Sequence, residues 1–191
     1  MSLVDGMILC HGSYAQVDEV RLDLRAPGKD FGKGYYLTSN QDQAMRFVPN
    51  SVRKAQAIGR VPATHNHGFV MTYRVHLTGK NLQVYEFATA NADWLRFVSF
   101  NRRSSLARTL AIASDQRIQH SDIIIGKIAN DTTNAVITTY LNGLYGEIGK
   151  GAAEQMAISL LLPNRLKDQY CFRSSAAVAC LELVEVTRHV V

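Results

Sequence analysis

Phe31-Gly32-Lys33-Gly34-Tyr35-Tyr36-Leu37-Thr38 decides how this chain is read. The two glycines let the backbone turn and approach another group closely, and the aromatic and β-branched residues after them favour a strand. Pro27-Gly28-Lys29-Asp30 opens the loop as a turn, so a glycine-rich loop feeds a short strand. Asn40 then caps a helix over residues 41–48, with Ala44, Phe47 and Val48 at helical spacing and Pro49 as its stop.

Upstream, the apolar residues 7–10 read as a buried strand closed by a turn at His11-Gly12-Ser13. Downstream, residues 49–68 are polar and read as a loop with a little helix in it. Residues 69–77 alternate as a strand, and residues 81–87 give another after the Thr78-Gly79 turn; the two are expected to pair antiparallel. Trp94, Leu95, Phe97, Val98 and Phe100 form a broad apolar stripe that predicts a core helix over 92–101. A buried strand over 122–128 precedes helices from Thr132 or Thr133 to Leu141, ended by Asn142-Gly143, and over 152–162, ended by Pro163. Strands over 168–172 and 180–186 flank a short helical run over 174–179. This order lacks regular βαβ alternation, so the expected class is α+β with antiparallel or mixed sheets, in a single domain over 1–191.

The bulk properties fit that reading. A chain of 191 residues with 47% hydrophobic and 19% charged residues has enough apolar material for one enclosed core. No apolar run approaches the roughly 18 to 20 residues of a membrane helix, and Met1 to Met7 lacks the charged and apolar regions of a secretory signal, so a soluble, cytoplasmic protein is expected. Cys10, Cys171 and Cys180 are odd in number and share no C-x-x-C spacing, which predicts reduced, structural thiols. The net charge of +5 is spread over Arg21 to Lys33, Arg53 to Arg60 and Arg102 to Arg108 rather than gathered into one stripe, which permits a nucleic-acid partner without indicating one.

Several chemistries are excluded by missing residues: there is no P-loop, no full Gly-x-Gly-x-x-Gly and no His-Glu-x-x-His. His65 and His67 have no third ligand nearby, so no metal is expected. Three segments remain. Leu9-Cys10-His11-Gly12-Ser13-Tyr14 sets an imidazole, a bare backbone and a hydroxyl at a strand end. The loop at residues 31–37 offers Gly34 for close approach and Tyr35 and Tyr36 as flat walls. Asp168-Gln169-Tyr170-Cys171-Phe172 starts an apolar strand with a polar amide, and alternation sends Gln169 and Cys171 to one face and Asp168 and Tyr170 to the other.

In chain order these segments resemble the signature motifs of the ADP-ribosyltransferase superfamily, in the diphtheria-toxin and poly(ADP-ribose) polymerase branch with a His-Tyr-Glu triad. The first is similar to Leu-Trp-His-Gly-Ser, the second to Phe-Gly-Lys-Gly-Ile-Tyr-Phe, and the third to Asn-Glu-Tyr-Ile-Val with Gln169 in place of glutamate. From His11 nearly to Leu183 the chain also resembles the bacterial domain-of-unknown-function family 3990, through Lys29-Asp30-Phe31-Gly32-Lys33-Gly34, Trp94-Leu95-Arg96-Phe97, Asn101-Arg102, Asp122-Ile123-Ile124-Ile125-Gly126, Asn130-Asp131 and Asp168-Gln169-Tyr170.

The resemblance implies a split, mostly antiparallel β-sheet flanked by helices, NAD as substrate without a metal, and transfer of a single ADP-ribose unit to a macromolecule, protein or nucleic acid, by a toxin with a neutralising partner. It implies that the Gly12 backbone holds the nicotinamide carboxamide with Ser13 assisting, that His11 bonds a ribose hydroxyl, and that Tyr36 stacks on the nicotinamide with Tyr35 or Tyr14 closing the other side. Gln169 keeps the hydrogen bond of the family's glutamate but not its charge, a loss of the kind that costs about 2.7–4 kcal/mol. Asp131, Asp168 or Glu154 would then supply charge instead, and Arg102 meets either the pyrophosphate or a neighbouring acid. An NAD glycohydrolase and a non-catalytic NAD or ADP-ribose binding module are the alternatives.

Overall fold

The computed structural model describes residues 2–23, 28–103, 116–128, 131–162 and 166–191. Among the described residues, seven strands make two sheets. β1 (Ile8–Ser13), β3 (His67–Val75) and β7 (Leu181–Val190) form one, in the order β1-β3-β7. β2 (Tyr35–Leu37), β6 (Asp168–Phe172), β5 (Ile123–Lys127) and β4 (Val84–Glu86) form the other, in the order β2-β6-β5-β4. Every pairing is antiparallel except β4 with β5, and one bridge between Cys10 and Thr38 joins β1 to β2.

Period-two alternation sorts the strand residues into layers. Leu9, Met71 and Tyr73 from the first sheet meet Tyr35, Leu37, Ile123, Ile125, Tyr170 and Phe172 from the second, forming a core between the sheets. The outer face of the first sheet carries Cys10 and Val70 against Ala44, Val48 and Val52 of α1 (Gln41–Ala57). The outer face of the second carries Ile124 and Cys171 under α2 (Ala92–Arg102), α3 (Gln116–Gln119), α4 (Asp131–Leu141) and α5 (Gly151–Leu161). A last short helix, α6 (Ser175–Val178), links β6 to β7 and is capped by Ser174.

Polar contacts lock these layers where burial alone would let them slide. Arg96 of α2 makes a bidentate pair with the buried Glu154 of α5, Nη2 donating to Oε2 at 2.6 Å. Removing Arg96 would strand the buried Glu154 carboxylate, at about 3–5 kcal/mol. The Trp94 indole N–H donates to the Lys127 carbonyl at 3.2 Å, fixing α2 to the end of β5.

The α+β class, the mostly antiparallel sheets and the flanking helices agree with the sequence reading, and three local expectations are corrected. Asn40 does cap α1, its side chain accepting from Gln43 N at 2.8 Å, but the helix runs through Pro49 to Ala57. Proline costs a helix about 3 kcal/mol, yet Val48, Val52 and Ala55 stay buried, so tertiary contact outweighs the break. Residues 49–57 are therefore helix rather than loop. The strand at 69–77 does not pair with that at 81–87: β1 and β7 occupy both edges of β3, and β4 joins the second sheet parallel to β5. His11-Gly12-Ser13 continues β1 rather than turning, because each residue pairs with β3. Pro163, read as a helix stop, lies outside the described residues; α5 ends at Leu161 with Leu162 left-handed, at φ 48°. All three cysteines are free and buried.

Two substitutions separate the core from the caps in urea denaturation. Ile124→Ala, at a fully buried position, is expected to cost about 2–5 kcal/mol. Asn40→Ala is expected to cost about 1 kcal/mol.

Candidate functional site

β1 and β2 are the two strands that fail to stay together. Cys10 N donates to Thr38 O at 2.8 Å and Thr38 N to Cys10 O at 2.9 Å. On its other side β1 bonds β3 through odd-numbered residues, as shown by Val75 N donating to Met7 O at 2.9 Å. Main-chain groups alternate sides along a strand, so the N–H and C=O of Gly12, two residues beyond Cys10, point toward β2. A regular ladder would bond them to Tyr36, but among the described residues the β1–β2 ladder has the single Cys10–Thr38 rung. The His11 ring takes the place of the next one: Nδ1 donates to the Tyr36 carbonyl at 2.7 Å. That bond puts a proton on Nδ1. It also leaves the buried Gly12 backbone facing the split with a donor and an acceptor side by side.

Gly12 is glycine because of α1. A Cβ there would strike the Ala44 carbonyl, and helix and strand could not approach this closely. Ser13 is buried, and its hydroxyl accepts a long bond from Ala15 N at 3.4 Å. The Tyr14 N–H donates to Ser51 Oγ at 3.0 Å, and its side chain packs against the α1 cluster.

The glycine loop is fastened from beneath by Phe31. Its fully buried ring stacks on Phe87 at 6.0 Å, and a Cβ on Gly126 of β5 would meet it at 2.8 Å, so the strand leaves a notch where the ring sits. With Phe31 fixed, its N–H donates to the Tyr36 hydroxyl at 3.0 Å, and that hydroxyl donates to Gly32 O at 2.6 Å. Burial, with the neighbouring Cys171 thiol, pushes the Tyr36 phenol well above its ordinary range, so it stays a neutral donor. Gly34 lies against Cys171 and Phe172, where any Cβ would clash. Tyr35 is a core residue, its hydroxyl bonded to that of Tyr73 at 2.9 Å and its ring 4.5 Å from that of His11.

Gln169 is buried on the helix-facing side of β6, opposite Gly126. Its Nε2 lies 3.3 Å from Asp30 Oδ2 and 3.3 Å from the Lys127 carbonyl. Asp30 is in turn gripped by Arg102, whose Nε and Nη2 donate to Oδ1 at 2.9 and 2.7 Å. Asn101 holds the same loop through the Asp30 carbonyl at 3.1 Å. Of the two sequence readings for Arg102, the geometry is that of the ion pair with a neighbouring acid.

Tyr36 and Gln169 therefore share one face of the second sheet, while alternation places the His11 ring on the inter-sheet side, tied to Tyr36 through its main chain. Of the acids suggested as substitutes for a glutamate, Glu154 is taken by Arg96 and Asp168 pairs with Lys127 Nζ at 2.9 Å. The Asp131 side chain lies outside the described residues. The carboxylate that does face Gln169 is Asp30, a member of the Lys29–Gly34 motif for which the resemblance implies no role. No local pattern in the sequence signals it, because its partners Arg102 and Gln169 are both distant along the chain. Among the described residues no cluster of His, Cys, Asp or Glu could hold a metal ion, and no helix is long and apolar enough to cross a membrane.

Two outcomes test this arrangement. Gly12→Ala should destabilise the fold by about 1–3 kcal/mol in urea melts through overpacking against α1. Burial raises the Cys171 thiol to about 12, whereas in the unfolded chain it ionises nearer 9.0, so its contribution is intact below pH 9 and is lost as pH climbs toward 12. Tyr36 acts in the same direction. Urea midpoints measured from about pH 8 to 11 should fall, and fall less steeply in Cys171→Ala.

No curated protein matches the chain. A family model described as Protein of unknown function (DUF3990) matches residues 7–183, from the approach to β1 into β7 and across every element of the site, and the chain belongs to that family.

Proposed function

We propose that this protein is an NAD-dependent mono-ADP-ribosyltransferase with the split-sheet fold of that superfamily. The observation that carries the reading is the Gly12 backbone at the β1–β2 split. A donor and an acceptor side by side on one residue match a primary carboxamide, which needs one of each, and the nicotinamide of NAD presents that group. An amide buried without a strand partner is costly unless a ligand or water meets it, so the feature calls for a partner.

The surrounding residues suit the same molecule. Tyr36, anchored by two bonds through its hydroxyl, offers a rigid aromatic face to a planar ring. His11, with its proton fixed on Nδ1, carries the lone pair of its neutral form on Nε2, the form that accepts a ribose hydroxyl. Ser13 adds a hydroxyl on the neighbouring residue.

NAD supplies a glycosidic bond that breaks with its electron pair leaving on nicotinamide, while an acceptor oxygen or nitrogen bonds ribose C1 and gives up its proton. The chain's task is to hold both halves of the molecule and to favour positive charge at C1. A cytoplasmic toxin restrained by a neutralising protein is the setting proposed for this activity.

NAD labelled on its adenylate, incubated with the protein in cell lysate and in buffer, tests the reading. Nicotinamide release with label on a macromolecule is expected, lost in His11→Ala and Tyr36→Ala. Release without transferred label in either medium would make the protein a glycohydrolase. Binding without release would make it a binding module, and no binding at all would end the NAD reading.

A further inference from the structure

At the third motif an amide and a carboxylate face each other across 139 positions of sequence. Both neighbours of Gln169 Nε2, Asp30 Oδ2 and the Lys127 carbonyl, are acceptors, so the nitrogen end of the amide is fixed there. Oε1 is the opposite end, and among the described residues none donates to it. Asp30 divides its two oxygens: Oδ1 takes both donors from Arg102, and Oδ2 takes the amide. The carboxylate and the guanidinium are only 12% and 17% exposed, so their fields are weakly screened.

We propose that Asp30 is a positioning residue that turns and polarises the Gln169 amide, so that Oε1 faces a ribose hydroxyl of the substrate as a strengthened acceptor. Through that amide it supplies the negative charge that residue 169 itself lacks. The inference rests on the NAD reading and deepens it. A carboxylate at the N–H end of an amide draws electron density toward its carbonyl end, and in a low-dielectric site linked hydrogen bonds strengthen one another. The same geometry accounts for glutamine at 169. A glutamate would set two carboxylates against each other and face the Lys127 carbonyl with nothing to donate, and like charges that close do not both ionise. The charge has moved from the strand to the loop, with Arg102 holding it in place.

Asp30→Asn, Gln169→Glu and the two combined form the test, with nicotinamide release as the readout. Asp30→Asn removes the charge and leaves one acceptor oxygen where Arg102 and the Gln169 amide each had their own. It is expected to lower kcat roughly tenfold to a hundredfold, less than the loss of a direct contact, with KM for NAD within about threefold of wild type. Gln169→Glu alone should also be impaired. The combined variant exchanges amide and carboxylate and keeps the wild-type net charge, the amide oxygen at position 30 accepting from Arg102 and its nitrogen donating to the carboxylate at 169; its kcat should rise above that of the slower single variant, toward wild type. An Asp30→Asn enzyme with unchanged kcat, or a folded combined variant no faster than the slower single one, overturns the role of Asp30 alone. Wild type that neither binds nor cleaves NAD overturns the NAD reading, and this inference with it.

Discussion

The Phe31 ring, seated in the notch that Gly126 leaves in β5, is the contact on which the site depends. Burying such a side chain contributes about 1.5–3 kcal/mol, and here it also sets the position of a loop that has no strand or helix of its own. Once Phe31 is down, its N–H and the Gly32 carbonyl bracket the Tyr36 hydroxyl, and Asp30, one residue back, is laid over Gln169. The end of α2 completes the fastening through Asn101 and Arg102, while Trp94 from the same helix reaches the carbonyl that Gln169 also uses. Residues scattered through the sequence are parts of one clamp.

The positive charge of the chain takes on a different meaning in this setting. Arg96 and Arg102 are committed to Glu154 and Asp30, Arg103 donates to the Leu141 carbonyl at 2.7 Å, and Arg173 to the Ile118 carbonyl at 2.7 Å. These guanidiniums tie α2 to α4, α5 and the loop at Asp30, and the end of β6 to α3. Arginine suits this work because its planar fork can serve an acid and a carbonyl, or both oxygens of one acid, without losing its charge. A basic composition is thus partly an internal fastening system, and the absence of a basic stripe in the sequence follows from it.

What could be read from the sequence divides by range of interaction. Strand β2, helix α2 and strands β5 and β6 were legible because alternation, helical stripes and turn residues are local signals. The run of α1 beyond Pro49 was not, since a local rule for proline was overruled by contacts with β1 and β3 far away in sequence. Nor was the partner of β4, because strand choice depends on which edges remain open once β1 and β7 have flanked β3. At the site, His11, Tyr36 and Gln169 carried a recognisable pattern, whereas Asp30 acquires meaning only when the fold places it over a residue near the other end of the chain.

The lone Cys10–Thr38 rung has a mechanical consequence. Among the described residues it is the one main-chain link between strands of the two sheets; the rest of their contact is the apolar core between them, with the Tyr35–Tyr73 hydroxyl pair and the His11 bond beside it. Apolar contact has no preferred direction, so beyond the rung, the hydroxyl pair and the His11 bond, nothing directional among the described residues sets the spacing of the two sheets beside Gly12.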